Sequence, residues 1–292
     1  MTDFSYEAMT TRNIGFVSPD EQERLRGGTV FVCGTGGMGG ACVMALARAG
    51  VGRLILADLD TFETSNLNRQ VFAFTDTVGH HKAEATAEIC RRINPQIEVE
   101  VHHADWPEHL EAIARQATVF VNGTDDLAAG LHLYRTARAA GIPVIDAYAA
   151  PLPSVYVVRP GTPTPEERLG YPSRGKDWRA IDKADRDAAL MKEIEYVMIH
   201  SSSRKHVDLT VAGEVAAGRR SRMSFAPMVI ATGMLMAYEA IALLIGRRTG
   251  TDHRGWFLNP YAPAVERPRP ALVAAVMRPL VRHFLRRMTE GA

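Results

Sequence analysis

Cysteine is scarce in this chain of 292 residues: Cys33, Cys42 and Cys90 are the whole supply, all in the first third, and no Cys-x-x-Cys pair occurs. Neither a zinc site built from such pairs nor a disulfide framework is therefore readable. The three lie in segments that read as strand or helix, where a thiol serves as a small buried hydrophobe. A charge excess is also lacking, since 34 Lys and Arg face 33 Asp and Glu. No global field steers the protein toward nucleic acid or an anionic membrane, so any electrostatic targeting is local. Met1 to Phe16 is polar and mixed in charge, without an apolar signal core, and no uninterrupted apolar run reaches transmembrane length. Membrane association is not expected, and a cytoplasmic address is the default.

What is present is an ordinary globular composition, 46% hydrophobic and 23% charged, in a chain long enough for one large domain or a domain with an appendage. Thr29 to Cys33 form a β-branched apolar run ending in a glycine cluster, and Ala41 to Ala49 follow with helix formers. That is strand, tight turn, helix. Arg53 to Ala57, Ile97 to Val101, Val119 to Asn122 and Pro143 to Asp146 read as further strands, alternating with helices from about His81 to Ile93 and from Leu131 to Ala140. The expected fold is α/β: a Rossmann-like, doubly wound, mostly parallel sheet with helices on both faces and a C-terminal extension.

Four regions follow along the chain: a helical arm over 1–27, a nucleotide-binding subdomain over 28–160, a crossover and substrate-binding region over 161–268, and a basic amphipathic helix over 269–292. Lys176 to Glu195 read as a charged helix. Pro227 to Leu244 read as a long apolar helix whose small residues Ala231, Gly233 and Ala237 permit close approach, in the core or against a second subunit. In the last region an apolar stripe from Leu272 through Val276, Leu280 and Leu285 is opposed by Arg278, Arg282, Arg286 and Arg287. Packing on the body or on a second subunit is the favoured reading over membrane-surface binding, and Pro279 would kink the helix.

The chemistry concentrates in five segments. Gly34, Gly36, Gly37 and Gly39 allow a turn whose backbone N–H groups and following helix N-terminus face a phosphate. Asp58 and Asp60 sit at the end of the second strand, Asp58 at the distance where an acid accepts hydrogen bonds from a ribose hydroxyl. NAD would satisfy these two features equally well. Asn66, Asn68, Arg69, Gln70 and Lys82 break the tie, because two cations and several amides match a triphosphate, whereas a pyrophosphate needs only the turn and the dipole. Asp125, within Thr124-Asp125-Asp126, follows a strand end where a ligand should lie, and that reading is favoured over the alternative of a cap for the helix ahead of Leu127. For Arg69 the alternative is a surface cation paired with a nearby acid. The adjacent pairs His80-His81 and His102-His103 point in different directions and are not expected to chelate a metal.

On these residues the chain resembles the ubiquitin-activating-like superfamily of adenylating enzymes, the ThiF/MoeB/HesA type, over about residues 8 to 160 with a weaker return over Phe225 to Gly246. The resemblance implies a Rossmann-like sheet that binds ATP and magnesium and transfers AMP to a carboxylate, on a small ubiquitin-like carrier, a peptide or a metabolite, with release of pyrophosphate. It places the glycine turn on Gly34 to Gly39, the ribose acid on Asp58, the Asn and Arg contacts on Asn66 and Arg69 with Gln70 beside them, the phosphate lysine on Lys82, and the magnesium-organising aspartate on Asp125. Arg69, Lys82 and Asp125 are then the catalytic set. Arg12 matches an N-terminal arginine that in relatives reaches the ATP of the partner subunit, and a homodimer is implied.

The chain departs from the family where relatives carry zinc-binding Cys-x-x-Cys pairs, having Thr164-Pro165-Glu166-Glu167 instead, and no acceptor cysteine stands in the second half. Zinc and an own thioester step are not expected. The profile moves toward members that stop at the acyl-adenylate, such as peptide-maturing enzymes of the microcin and pantocin type. A nicotinamide-dependent oxidoreductase is the alternative that Asp58 permits, but the second half offers no evident hydride-transfer acid or base. A non-catalytic dimer scaffold is a third, and it has no physical need for Arg69, Lys82 and Asp125.

Overall fold

Short β-branched runs, buried at nearly every position, lay down the sheet, as expected of strands covered on both faces. The computed structural model describes residues 4–216 and 218–290. Helices α1 (Tyr6–Thr10) and α2 (Pro19–Arg26) precede β1 (Thr29–Cys33), α3 (Met38–Ala49), β2 (Arg53–Ala57), α4 (Lys82–Ile93) and β3 (Glu98–His102). Then come α5 (Leu110–Ala114), β4 (Val119–Asn122), α6 (Leu127–Ala140), β5 (Val144–Asp146) and β6 (Ser154–Val158). The second half holds α7 (Pro165–Leu169), α8 (Lys183–His200), α9 (Leu209–Ala216), α10 (Ala226–Ile245), the strands β7 (Trp256–Asn259) and β8 (Ala264–Glu266), and α11 (Ala271–Glu290).

The strands form one sheet in the order β3-β2-β1-β4-β5-β6-β7-β8, parallel from β3 to β5 and antiparallel thereafter. Strand order reverses direction at β1, so a crevice opens between the carboxyl ends of β1 and β4, where open sheets bind ligands. The expected boundary at residue 160 lies just beyond β6, and the sheet continues across it because β6 pairs with β7.

Alternation along each strand divides the core between two faces. Val30, Val32, Val119 and Val121 pack on one side with Leu46 of α3 and Met236 and Ala240 of α10, while Phe31, Phe120 and Tyr156 pack on the other with Leu133 of α6 and Val197 of α8. α10 is the apolar segment read at 227–244. It is long and apolar enough to cross a membrane by length and composition, yet it is half buried in the protein. A Cβ at Gly233 would lie 2.4 Å from the Met38 carbonyl and 2.5 Å from the Ala41 Cβ, so the small residue permits α10 to cross α3 at close range.

Two expected elements differ. Helix α8 begins at Lys183 rather than Lys176, because Asp182 caps it and accepts from the Asp185 N–H, while Lys176 instead reaches Asp185 at 2.7 Å. The stripe on α11 splits: Ala274, Val281 and Leu285 pack with Ile199 of α8 and Arg278 and Arg282 pair with Glu195, but Leu272, Val276 and Leu280 face outward. The helix continues through Pro279.

Candidate active site

The glycine turn is fixed by backbone geometry. Gly34 has φ +82°, and a Cβ there would meet the Gly123 carbonyl at 2.4 Å; a Cβ on Gly39 would lie 1.9 Å from the Gly34 carbonyl. Only glycine fits either position. The turn leads directly into α3, whose first N–H groups have no intrahelical acceptor and so present a site for an anion.

Asp58 ends β2 buried and ties this turn in place. Its Oδ2 accepts from the Thr35 N–H at 2.7 Å and the Thr35 hydroxyl at 3.1 Å, and its Oδ1 accepts from the Asp60 N–H at 3.0 Å. Asp60 in turn accepts from the buried Lys82 ammonium at 2.8 Å, at the first residue of α4. The structure therefore brings Gly34, Asp58, Asp60 and Lys82 together, and assigns Asp58 to organising backbone donors.

The loop between β2 and α4 supplies the amides. Asn66 is buried and closes a short turn, its Oδ1 accepting from the Glu63 N–H at 3.1 Å. Arg69 donates to the Ser65 carbonyl at 2.8 Å and to the Asn68 Oδ1 at 2.9 Å, and pairs with no acid among the described residues. Asn68 donates to the Ser224 carbonyl at 3.4 Å, which docks the loop against the entry to α10. Gln70 faces the turn: a Cβ on Gly36 would lie 3.2 Å from its Nε2, and its buried Oε1 lacks a hydrogen-bond partner among the described residues. Such an orphaned acceptor fits a nucleotide hydroxyl or amino donor.

Across the crevice, β4 runs into the loop of Gly123 to Asp126. Asp126, not Asp125, caps α6, accepting from the N–H groups of Ala128 and Ala129 at 2.8 and 3.3 Å. The alternative of Asp125 as the cap thus falls to its neighbour: the Asp125 carboxylate is exposed and makes no hydrogen bond or ion pair among the described residues. Asp125 stays next to the turn because Gly34 abuts Gly123 and Thr124.

Arg12 is elsewhere. Tyr6, Asn13 and Gln22 dock the N-terminal arm on the carbonyls of Ala49 and Gly50, at the far end of α3. A helix of that length holds Arg12 roughly 18 Å from its own chain's glycine turn. One member of each adjacent histidine pair meets the other, with His81 Nε2 and His103 Nδ1 2.9 Å apart. Among the described residues no group of three or more His, Cys, Asp or Glu could hold a metal ion by itself.

Sequence reasoning missed the next stretch of the rim. Asp146, at the end of β5, is buried, and its Oδ2 accepts from Asn122 Nδ2 at 2.8 Å, the Tyr134 hydroxyl at 2.6 Å and the Tyr156 hydroxyl at 2.8 Å. Burial raises its pKa above the ordinary aspartate value despite these donors. An acid at a strand end was the available signal, the same one that singled out Asp58. Burial also pushes the Cys33 thiol, one residue before Gly34, up to about 12, so it holds its proton at neutral pH. Cys42 and Cys90 are buried as well, so no ready nucleophilic thiolate exists.

The ThiF family profile matches residues 10–273, and the chain belongs to the ThiF family. It is 36% identical over 130 residues to the SAMP-activating enzyme E1 of Haloferax volcanii, covering 44% of this chain and 48% of that protein. It is also 36% identical over 131 residues to the molybdopterin-synthase adenylyltransferase of Escherichia coli, covering 44% of this chain and 53% of the relative. The match thus spans about half the length of these curated relatives. Among solved structures, the fold is shared with E. coli MccB in complex with AMPCPP and MccA, with TM-score 0.63, 19% identity, and coverage of 92% of this chain and 75% of that one. It is shared too with the E. coli tRNA N6-threonylcarbamoyladenosine dehydratase TcdA bound to AMP, with TM-score 0.58, 20% identity, and coverage of 84% and 98%.

Proposed function

We propose that the chain is an ATP-dependent adenylyltransferase that transfers AMP to a carboxylate and releases pyrophosphate. The observation that carries this reading is the unpartnered Asp125 carboxylate held beside a glycine turn whose other side bears Lys82 and the orphaned Gln70 Oε1. A dinucleotide pocket has no need of a free carboxylate at that place. Curated relatives named adenylyltransferases support the same chemistry.

In this reading a substrate carboxylate oxygen bonds to the α-phosphorus of ATP while the bond from that phosphorus to the pyrophosphate oxygen breaks. Negative charge gathers along the line of transfer, and the leaving group departs as an anion. The glycine turn and the start of α3 hold the phosphates by backbone N–H donation. Lys82 moves from Asp60 toward the phosphates, and Arg69, held by carbonyl and amide oxygens rather than by an acid, is free of competing negative charge. Both act by neutralising charge at fixed positions. Asp125 would hold a magnesium ion with the remaining ligands drawn from phosphate oxygens and water, as hard, small cations prefer. Magnesium, when bound, supplies charge neutralisation at the phosphates.

The buried cysteines support an enzyme that ends at the acyl-adenylate and leaves it to a nucleophile from another molecule. The place of Arg12 supports a homodimer, because with its own turn out of reach it would serve the nucleotide of a second copy. We place the enzyme in the cytoplasm. Its substrate is a carboxylate on a peptide, a small carrier protein or a metabolite.

Exchange of labelled pyrophosphate into ATP, dependent on the carboxylate substrate, is the test. Asp125→Ala should abolish exchange while the protein keeps its fold by circular dichroism. A folded parent protein that binds neither ATP nor AMP with magnesium, but binds NADH in a way that ATP cannot displace, sinks the proposal in favour of an oxidoreductase.

A further inference from the structure

A second feature stands beyond the nucleotide crevice, on the α6 and α8 side of the sheet. Arg168, on α7, is inserted among Tyr148, Tyr156 and Tyr196, its guanidinium carbon 5.6, 5.7 and 4.5 Å from their ring centroids. All three guanidinium nitrogens are buried, and none has a hydrogen-bond partner among the described residues. The tyrosine hydroxyls donate elsewhere: Tyr148 and Tyr196 to the Arg254 carbonyl at 2.8 and 2.9 Å, Tyr156 to Asp146. The nearby Glu193 carboxyl accepts from Tyr171 at 2.6 Å and makes no ion pair with Arg168.

A buried guanidinium whose five N–H groups make no hydrogen bond is costly, and the ring faces and the Glu193 carboxyl nearby offset only part of that cost. Buried cations of this kind are completed by an anion. The tyrosine rings form walls that leave the planar fork of the guanidinium as the polar element between them, which matches the planar, bidentate geometry of a carboxylate. A dianionic phosphate suits the chamber less well, because the buried carboxyls of Asp146 and Glu193 already stand near it.

We propose that the tyrosine-walled chamber around Arg168 is a substrate subsite that binds a carboxylate other than the one being adenylated. This rests on the adenylation reading for the position of the reacting group. Tyr156 lies on β6, three strands from β1 in the sheet order, so the chamber is offset from the glycine turn by roughly 14 Å at the usual strand spacing. An extended peptide covers that span in about four residues. The substrate class is accordingly a peptide or peptide tail with an acidic group about four residues from the carboxyl that receives AMP. The chamber is closed around the guanidinium as described, so binding must separate the ring walls. α7 itself is held by the ion pairs Arg135–Glu166 at 2.7 Å and Arg138–Glu167 at 2.6 Å, so the opening is one of the Arg168 and tyrosine side chains rather than of the helix.

The test is calorimetric titration of the full chain, without nucleotide, using glutarate and its neutral isostere glutaramide as probes, with ATP and magnesium titrated in parallel. Glutarate should bind and glutaramide should not. Arg168→Met should lose glutarate binding by about tenfold or more, as expected when a bidentate charged contact is removed, while keeping ATP binding. Arg168→Lys, a point charge without the fork, should bind glutarate at an intermediate strength, and it keeps the test alive if the Met variant fails to fold. Equal glutarate binding by parent and Arg168→Met, or no glutarate binding by a folded parent, overturns the proposal. Loss of ATP binding with glutarate binding intact would instead overturn only the adenylation reading.

Discussion

Asp58 and Asp146 lie at the ends of two strands of one sheet, and both are buried and hydrogen-bonded, yet Asp58 organises mainly backbone donors and Asp146 mainly side chains. Asp58 holds backbone N–H groups of the glycine turn and of Asp60, so the side chains around it, Lys82, Gln70 and the facing Asp125, keep capacity for a ligand. Asp146 holds side chains, Asn122, Tyr134 and Tyr156, and its donors leave no cation in contact. Along β1 and β2 the rim therefore keeps charge beside exposed carboxylates, Asp60 and Asp125, whereas at β5 and β6 it seals charge among aromatics. Preorganised charge near solvent neutralises a growing anion, while sealed charge sets structure and discriminates what enters.

The sharpest way to break that contrast is to remove one polar group from each side. Lys82→Ala should slow pyrophosphate exchange a hundred to a thousandfold, about 3 to 4 kcal/mol of barrier. Its effect on stability should be small, within about 1 kcal/mol, because its partner Asp60 is half exposed and returns to water. Urea unfolding alongside the exchange assay separates the two quantities. A large stability loss with a modest rate loss would make Lys82 a strut.

Tyr156→Phe should do the reverse. It keeps the ring beside Arg168 but deletes one donor to the buried Asp146 carboxylate, for roughly 1 to 3 kcal/mol of stability, with exchange near the parent rate. A variant as stable as the parent would show that the other donors compensate and that the Asp146 network is not a structural keystone.

The smallest expected effect lies farther from both sites, at the C-terminal end of α8. Burial, reinforced by nearby arginines, lowers the His200 pKa to about 4, and its Nδ1 accepts from the Arg269 N–H at 3.0 Å. The unfolded chain binds this proton near pH 6.5, so the contribution of neutral His200 is fully present above that value and is lost as pH falls toward 4. Hydrogen exchange should show the α8–α11 junction loosening over that window while the glycine turn stays protected. His200→Gln should flatten the dependence.

Much of the first region was legible in the linear chain because its determinants are local. A β-branched run, four glycines and a following helix fix the turn within about a dozen residues, and strand-end acids mark the rim in any parallel sheet. The caps Asp182 and Asp126 were less legible: Thr124, Asp125 and Asp126 stood side by side as candidates for one helix, and the charged stretch from Lys176 read as already helical ahead of the other. Arg168 was not legible at all. Its segment reads as a proline- and glycine-rich crossover, and only contacts with Tyr148, Tyr156 and Tyr196, each from a different stretch of the chain, give it a role.

By itself the sequence determined the α/β alternation, the phosphate-facing turn and the supply of cations and acids around it, because each depends on neighbours in the chain. Tertiary structure decided which carboxylates are occupied and which are free, that the arm bearing Arg12 docks at the far end of α3 from the glycine turn, and that a cation is sealed among three tyrosines. Those outcomes turn on burial and on partners brought from distant strands and helices, and pairing and desolvation are properties of a place in space rather than of a position in a chain.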